Sequence, residues 1–214
     1  MTIECDNCDG DDLLHRRSFV GLGTAALALL MSRPASAQRA EQAGLVEEIN
    51  GQGFAEAGAA RRALAREAPV FIADRVRTGD ASRLTMQLGR RTRVRLGEQA
   101  RITIDRYLVD AGGEITLESG AMLFDRPSGS TPAPVQVRSP FGLIAVRGTR
   151  FFAGPSAGVF GVFVQRGRVV VAGGGQQVVL RSGEGTDIRY PGAAPTPPRA
   201  WGEPRIRAAL ASVT

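Results

Sequence analysis

The chain has 214 residues, 43% hydrophobic and 22% charged, a size and balance that fit one globular domain with a real core plus short appendages. Its 27 basic residues are all arginine and outnumber 21 acidic ones, giving a net charge of +6. The two cysteines and the single histidine all lie within the first fifteen residues, so the body of the chain has no material for a disulfide framework or for a thiolate or imidazole metal site.

Residues 1–37 read as an export leader, to be set apart from the fold. Arg16-Arg17 precede Ser18-Phe19-Val20, an apolar or small run extends from Phe19 to Met31, and Ala35-Ser36-Ala37 offers an A-x-A cleavage site before Gln38. The pairing of Arg16 and Arg17 with a run softened by Gly21 and Gly23 resembles a twin-arginine (Tat) signal, an address for the Tat translocase and not an anchor. The run falls short of the about 20 residues a spanning helix needs. The expected product is a periplasmic, non-transmembrane protein cleaved after Ala37, with an ordinary Sec signal as the alternative. Cys5 and Cys8 form a lone C-x-x-C among acidic residues that disfavour a thiolate, and they leave with the leader, as does His15. Cleavage removes three arginines and five acidic residues, so the net charge rises from +6 to +8. A chain without Cys, His or Lys has no Ser-His-Asp triad, cysteine nucleophile or lysine Schiff base, and no cofactor is expected. Acid–base chemistry would rest on carboxylates or tyrosine.

In the body, Leu45–Ile49 reads as a strand, Asn50-Gly51 as a hairpin turn and Phe54–Glu56 as the answering strand. Ala59–Glu67 carries helical propensity. From Arg75 the alternation sharpens: Leu84, Met86 and Leu88, then Val94 and Leu96, then Ile102 and Ile104 alternate with polar residues, marking three strands with one dry face. Gly89-Arg90-Arg91 and Gly97-Glu98-Gln99 would join them into an antiparallel meander. That meander would gather Arg83, Arg93, Arg95 and Arg101 on one wet face. A turn at Ala111-Gly112-Gly113 leads to strands around Ile115, Leu117 and Ala121–Phe124, and Arg126–Pro134 reads as an exposed loop.

From Val135 to Thr186, short β-branched runs are separated by glycines. Pro140 should end one strand before Leu143 begins the next. Gln165–Arg168 reads as a hairpin tip with Gly167 at positive φ, and Gly148 as a backbone requirement. Gly173-Gly174-Gly175 is another tip and lacks the Lys-Ser/Thr of a phosphate loop. Pro191–Pro198 reads as an extended linker. Glu203–Val213 reads as a short helix with Pro204 in its first turn, and Ile206, Leu210 and Val213 on one face. That stripe and Trp201 are expected to dock on the β-body. The fold class is all-β: at least ten short antiparallel strands in stacked hairpins, as a sandwich or a solenoid-like pile, with a short C-terminal helix.

Ser139-Pro-Phe-Gly-Leu-Ile-Ala-Val-Arg-Gly-Thr-Arg-Phe151 resembles the signature T-P-x-G-x-I-x-V-x-G-T-x-F of the FecR family of periplasmic domains, with Ser139 where Thr is commoner. Gly167-Arg168-Val169 and Val179–Glu184 are similar to that family's next elements, and Asp74–Gly79 with Ser82–Leu88 to its start. The resemblance spans residues 44–189, dividing the chain into leader 1–37, FecR-like domain 44–189 and linker plus helix 190–214. The matched signature positions are Pro140, Gly142, Gly148, Thr149, Phe151 and Gly167. The resemblance implies an extended Ala59–Glu67 in place of a helix. It also implies kinship with regulators of iron-siderophore uptake, in which a periplasmic part receives a signal from an outer-membrane receptor and a cytoplasmic part controls a sigma factor. Residues 1–15 are too few for such a cytoplasmic part, and no receptor-contacting domain is evident after Thr186.

The functional expectation is therefore a freestanding, non-catalytic periplasmic binding or sensory module, in envelope or iron-uptake signalling. Its partner would be an envelope protein or an anionic envelope polymer, met by the Arg83, Arg93, Arg95 and Arg101 face, and not a nucleic acid. The alternatives are a structural protein that binds envelope polysaccharide, and a carboxylate-based glycan hydrolase drawing on Asp105, Asp110, Glu114, Glu118 and Asp125.

Overall fold

The computed structural model describes residues 41–108, 112–127, 129 and 135–214. The leader lies outside them, with Arg16, Arg17, Ala35, Ala37, Cys5, Cys8 and His15; so do Asp110, Ala111 and most of the Arg126–Pro134 loop. The chain forms β1 (Gln42–Asn50), β2 (Gly53–Ala57), β3 (Ala60–Ala63), β4 (Pro69–Phe71), β5 (Arg75–Thr78), β6 (Arg83–Leu88), β7 (Thr92–Leu96), β8 (Arg101–Leu108) and β9 (Gly112–Ser119). It continues through β10 (Met122–Asp125), β11 (Val135–Ser139), β12 (Gly142–Val146), β13 (Arg150–Ser156), β14 (Val159–Arg166), β15 (Arg168–Gly173), β16 (Gln176–Arg181), β17 (Glu184–Ile188) and β18 (Arg199–Ala200) to α1 (Glu203–Ala211). The fold is all-β with one short C-terminal helix, and Ala59–Glu67 is not helical: β3 takes Ala60–Ala63 and a turn follows at Arg66-Glu67.

The strands make two nine-stranded sheets. Sheet I runs β18-β17-β14-β13-β10-β7-β6-β1-β4, and sheet II runs β16-β15-β12-β11-β9-β8-β5-β2-β3. From β6 onward the chain lays strands alternately on the two sheets: β6–β7 on I, β8–β9 on II, β10 on I, β11–β12 on II, β13–β14 on I, β15–β16 on II, β17–β18 on I. It is thus a sandwich in section and a stack of hairpins along its length. From β6 onward β10 is the strand without a hairpin partner on its sheet. The chain therefore returns to sheet II in the direction it left, and β9–β11 is parallel while every other neighbouring pair is antiparallel.

This alternation corrects three expected turns. Asn50-Gly51, Gly97–Gln99 and Gln165–Arg168 do not close hairpins; each carries the chain from one sheet to the other, and β8 belongs to a different sheet from β6 and β7. At Gly167, and at Gly120 in the corner between β9 and β10, glycine is required by close stacking of one corner on the next. A Cβ on Gly167 (φ +91°) would lie 2.7 Å from Thr149 Cγ2, and one on Gly120 (φ +79°) would lie 2.4 Å from Ala100 Cα. Gly89 in β6–β7 and Gly174-Gly175 in β15–β16 do sit in hairpin tips, as the sequence predicts.

One core fills the space between the sheets. Val46, Leu84, Met86 and Val94 come from sheet I; Val76, Ile102, Ile104 and Ile115 come from sheet II. These are the dry residues of the alternating runs, each contributing roughly 1.5–3 kcal/mol on full burial. A second, smaller core lies outside sheet I. There Leu123, Phe152 and Phe163 are covered by Trp201 and by Ala209 and Val213, with Ile206 and Leu210 packed against them. Arg205 lies 3.7 Å over the Trp201 ring, donates from Nη2 to Asp187 Oδ1 (2.6 Å) and from Nε to Ser156 Oγ (3.0 Å), and so ties α1 to β17 and β13. The linker is anchored where Thr196 N–H donates to Asp187 O (3.0 Å). Among the described residues no helix is long and apolar enough to cross a membrane.

Candidate functional site

The signature residues divide into scaffold and surface. Gly142 has φ +146°, and a Cβ there would lie 2.2 Å from Ala172 O. Gly148 takes φ +61° in the corner between β12 and β13. Thr149 is fully buried, its carbonyl accepts the Arg126 N–H (2.9 Å), and its Oγ1 has no hydrogen-bond partner among the described residues. Phe151 is buried against Phe124, with ring centroids 5.4 Å apart. Together with Gly167 these positions hold two adjacent corners in register. Pro140 and Gly167 are the exposed members of the set, and of the two only Pro140 lines a cavity.

Pro140 opens onto a cleft at one end of the sandwich, a cavity of about 320 Å³ between the two sheets. Its walls are Leu117 and Gly120 at the end of β9, Pro140 and Phe141 in the β11–β12 turn, and Pro155, Val159 and Phe160 around the β13–β14 turn. Phe141 and Phe160 stack face to face, 4.4 Å apart and 6° from parallel. Two charges stand at the rim, Glu118 and Arg189. Glu118 is committed: its Oε1 accepts from Arg75 Nε (2.9 Å) and Thr103 Oγ1 (2.7 Å), and Arg101 Nη1 lies 3.9 Å from Oε2. Arg189 is exposed and has no ion-pair or hydrogen-bond partner among the described residues. The cleft therefore offers an aromatic floor and one free guanidinium, an arrangement that suits an apolar group next to a carboxylate. In the sequence, Phe141, Pro155, Phe160 and Arg189 are ordinary turn and strand residues; their convergence follows from the ends of β9, β12, β14 and β17 meeting at one end of the stack.

The expected arginine face does not form as one surface. Arg83, Arg93 and Arg95 are on sheet I, whereas Arg101 is on sheet II. Their charges are also largely engaged. Arg93 donates from Nε to Glu47 Oε2 (2.6 Å) and from Nη2 to Glu47 Oε1 (3.0 Å). That hydrogen bond, with the Glu47 and Asp125 charges, holds its guanidinium above the usual arginine range against a smaller opposing effect of burial. Arg83 Nη2 donates to Ala211 O (3.2 Å) at the C-terminal end of α1, where a cation satisfies an otherwise orphan carbonyl. Arg95 shares a small hollow with Glu48 and Arg83.

The candidate carboxylates are likewise held. Thr116 Oγ1 donates to Asp105 (2.6 Å), Arg138 pairs with Glu114, and Asp125 is clasped by Arg150 (3.3 Å) and Arg166 (2.8 Å). Asp110 lies outside the described residues. Among the described residues no group of three or more His, Cys, Asp or Glu is placed to hold a metal ion.

Comparison with known proteins bears on this geometry. Residues 74–170 match the family described as FecR protein. The FecR match begins at buried Asp74, whose carboxylate accepts the Phe71 N–H (2.8 Å), and ends in β15. It contains every residue of the cleft wall except Arg189. No curated protein matches this chain in sequence. Two crystal structures of a candidate anti-sigma factor from Parabacteroides distasonis ATCC 8503 share its fold, with TM-scores of 0.54 and 0.53 at 15% and 16% identity. Each superposition covers 64% of this chain and 64% or 63% of the other.

Proposed function

We propose that the chain is an exported, non-catalytic binding module of an envelope signalling system, and that the end cleft is where it meets its ligand or partner. The observation that carries this reading is that the FecR match coincides with the cleft: the segment 74–170 builds the stacked Phe141–Phe160 floor and the Pro140 lip. The shared fold with a candidate anti-sigma factor supports a place in signalling, and iron uptake is the finer setting that FecR kinship favours. The leader motif Arg16-Arg17 with Ala35-Ser36-Ala37 supports a periplasmic location. The hydrolase alternative loses ground because each described candidate carboxylate is already bound to arginine or threonine.

The test is transcriptional. Deleting the gene in its host is expected to change the expression of a defined gene set. The wild-type chain should restore it, and chains carrying Arg189→Glu or Phe141→Ala should not. An unchanged transcript profile on deletion overturns the signalling role, and full restoration by both variants overturns the role of the cleft. Export is checked separately. Replacing Arg16 and Arg17 by Lys should abolish periplasmic accumulation of a mature protein that begins at Gln38.

A further inference from the structure

The outer face of sheet II carries, at its β16 edge, a constellation that the cleft does not use. In the registers of β12, β15 and β16, Val146 opposes Val169 and Arg168 opposes Arg181, so Arg147, Arg168 and Arg181 stand in one row across three adjacent strands. All three are exposed, and none of their guanidinium groups has an ion-pair or hydrogen-bond partner among the described residues. Like charges directly opposite on neighbouring strands destabilise a sheet. Elsewhere the molecule answers such arginines with carboxylates, as in Arg93–Glu47, Arg138–Glu114 and Arg150–Asp125. Here β12, β15 and β16 contain no acidic residue. The next row is apolar, with Ala145, Val170 and Val179 in register, and Val179 is 46% exposed.

The same place is an open edge. The two sheets end in β18, β4, β3 and β16, which have two, three, four and six residues. β16 has neither proline nor bulge. The Arg181 N–H donates to Glu184 Oε2 (2.8 Å) and not to β15. By strand alternation, Gln177 and Val179 then also turn their N–H and C=O groups away from β15, and no other described backbone group meets them. Natural sheets blunt long edges of this kind.

We propose that this edge accepts an extended acidic strand of a partner protein by β-strand addition. The partner's backbone pairs with Gln177 and Val179. Side chains opposite Val179 and Arg181 share one face and lie two positions apart, so the docking segment carries a β-branched residue with Asp or Glu two positions away. A second copy of this chain is the poorer occupant, because its own β16 would leave the arginine row without carboxylates. A polyanion would meet the row but ignore the edge.

The probe is a synthetic peptide of alternating threonine and valine carrying two glutamates two positions apart, titrated into the full chain and followed by ¹⁵N NMR. The expected result is perturbation of the Gln177 and Val179 amides, with affinity falling about tenfold, or 1.4 kcal/mol, when the peptide's glutamates become glutamines or when Arg147 and Arg168 become Gln. Val179→Pro removes only a donor that faces outward, so it should keep the parent melting temperature yet lose the peptide. Peptide binding by both the Val179→Pro and the Arg147→Gln/Arg168→Gln variants as tight as by the parent overturns the proposal. So does stronger binding of dextran sulfate than of the peptide that Val179→Pro leaves untouched, since that marks simple polyanion attraction. A dimer in sedimentation that Val179→Pro abolishes, without peptide binding, overturns it in favour of self-pairing.

Discussion

The two outer faces of the sandwich each carry an apolar strip, yet only one is covered. On sheet I the strip is large and aromatic, Leu123, Phe152 and Phe163, and the chain supplies its own lid in Trp201 and α1. On sheet II the strip is small, Ala145, Val170 and Val179, and among the described residues the three arginines that border it have no ion-pair or hydrogen-bond partner and no strand or helix pairs beyond β16. The difference teaches how to separate structure from interface here. Where exposure would be most costly the chain closes the surface itself, and where the apolar area is modest and bordered by charge it leaves the surface exposed.

Four substitutions sharpen that contrast. Trp201→Ala removes the centre of the lid, where the indole meets Phe152 and Phe163 at 6.5 and 5.2 Å, and is expected to destabilise by about 3–5 kcal/mol in denaturant unfolding. A loss below about 1 kcal/mol would show that α1 is an appendage and that both faces are equally bare. Gly185→Ala should come next, at about 2 kcal/mol, because its Cβ would lie 2.2 Å from Trp201 Nε1 and the rigid ring must move. Limited proteolysis should then release the C-terminal helix faster than from the parent. Arg205→Ala loses the contact over Trp201 and the pair with Asp187, both partly buried, and should cost about 1 kcal/mol. Arg168→Gln, on the open face, should leave stability unchanged or raise it by at most about 0.5 kcal/mol, since it relieves repulsion from Arg147 and Arg181. A melting temperature clearly lowered by Arg168→Gln would mean that the row has a structural partner.

Much of the framework was legible from residue order. The alternation of Leu84, Met86 and Leu88 with polar residues marked β6 and its dry face, and the Ile206–Leu210–Val213 stripe with Pro204 marked α1 and its docking side. The motif Ser139–Phe151 lies inside the segment that matches the FecR family. The arginine face was misread for an identifiable reason. Arg83, Arg93, Arg95 and Arg101 do point to wet sides of their strands, but whether those strands are neighbours depends on Gly97–Gln99, which turns out to be a corner between sheets. The neutralising partners were equally out of view, since Glu47 lies 46 residues before Arg93 and Asp125 lies 41 before Arg166.

By itself the sequence determined most of the longer strands, which of their faces are dry, where most turns fall and where the chain becomes helical at its end. Each of these follows from local preferences: a side-chain period of two, a glycine free to take positive φ, a proline without an N–H. Tertiary structure alone decided which turns stay within a sheet and which cross between sheets. Gly120 and Gly174 both take positive φ, but only contact with another corner, at Ala100, distinguishes the first from a hairpin tip. From those crossings came the rest: the cleft at one end of the stack, the carboxylates that quiet one set of arginines, and the row of Arg147, Arg168 and Arg181 that none of them reaches. These are products of register between strands far apart in the chain, and no local pattern encodes a partner that arrives through a sheet.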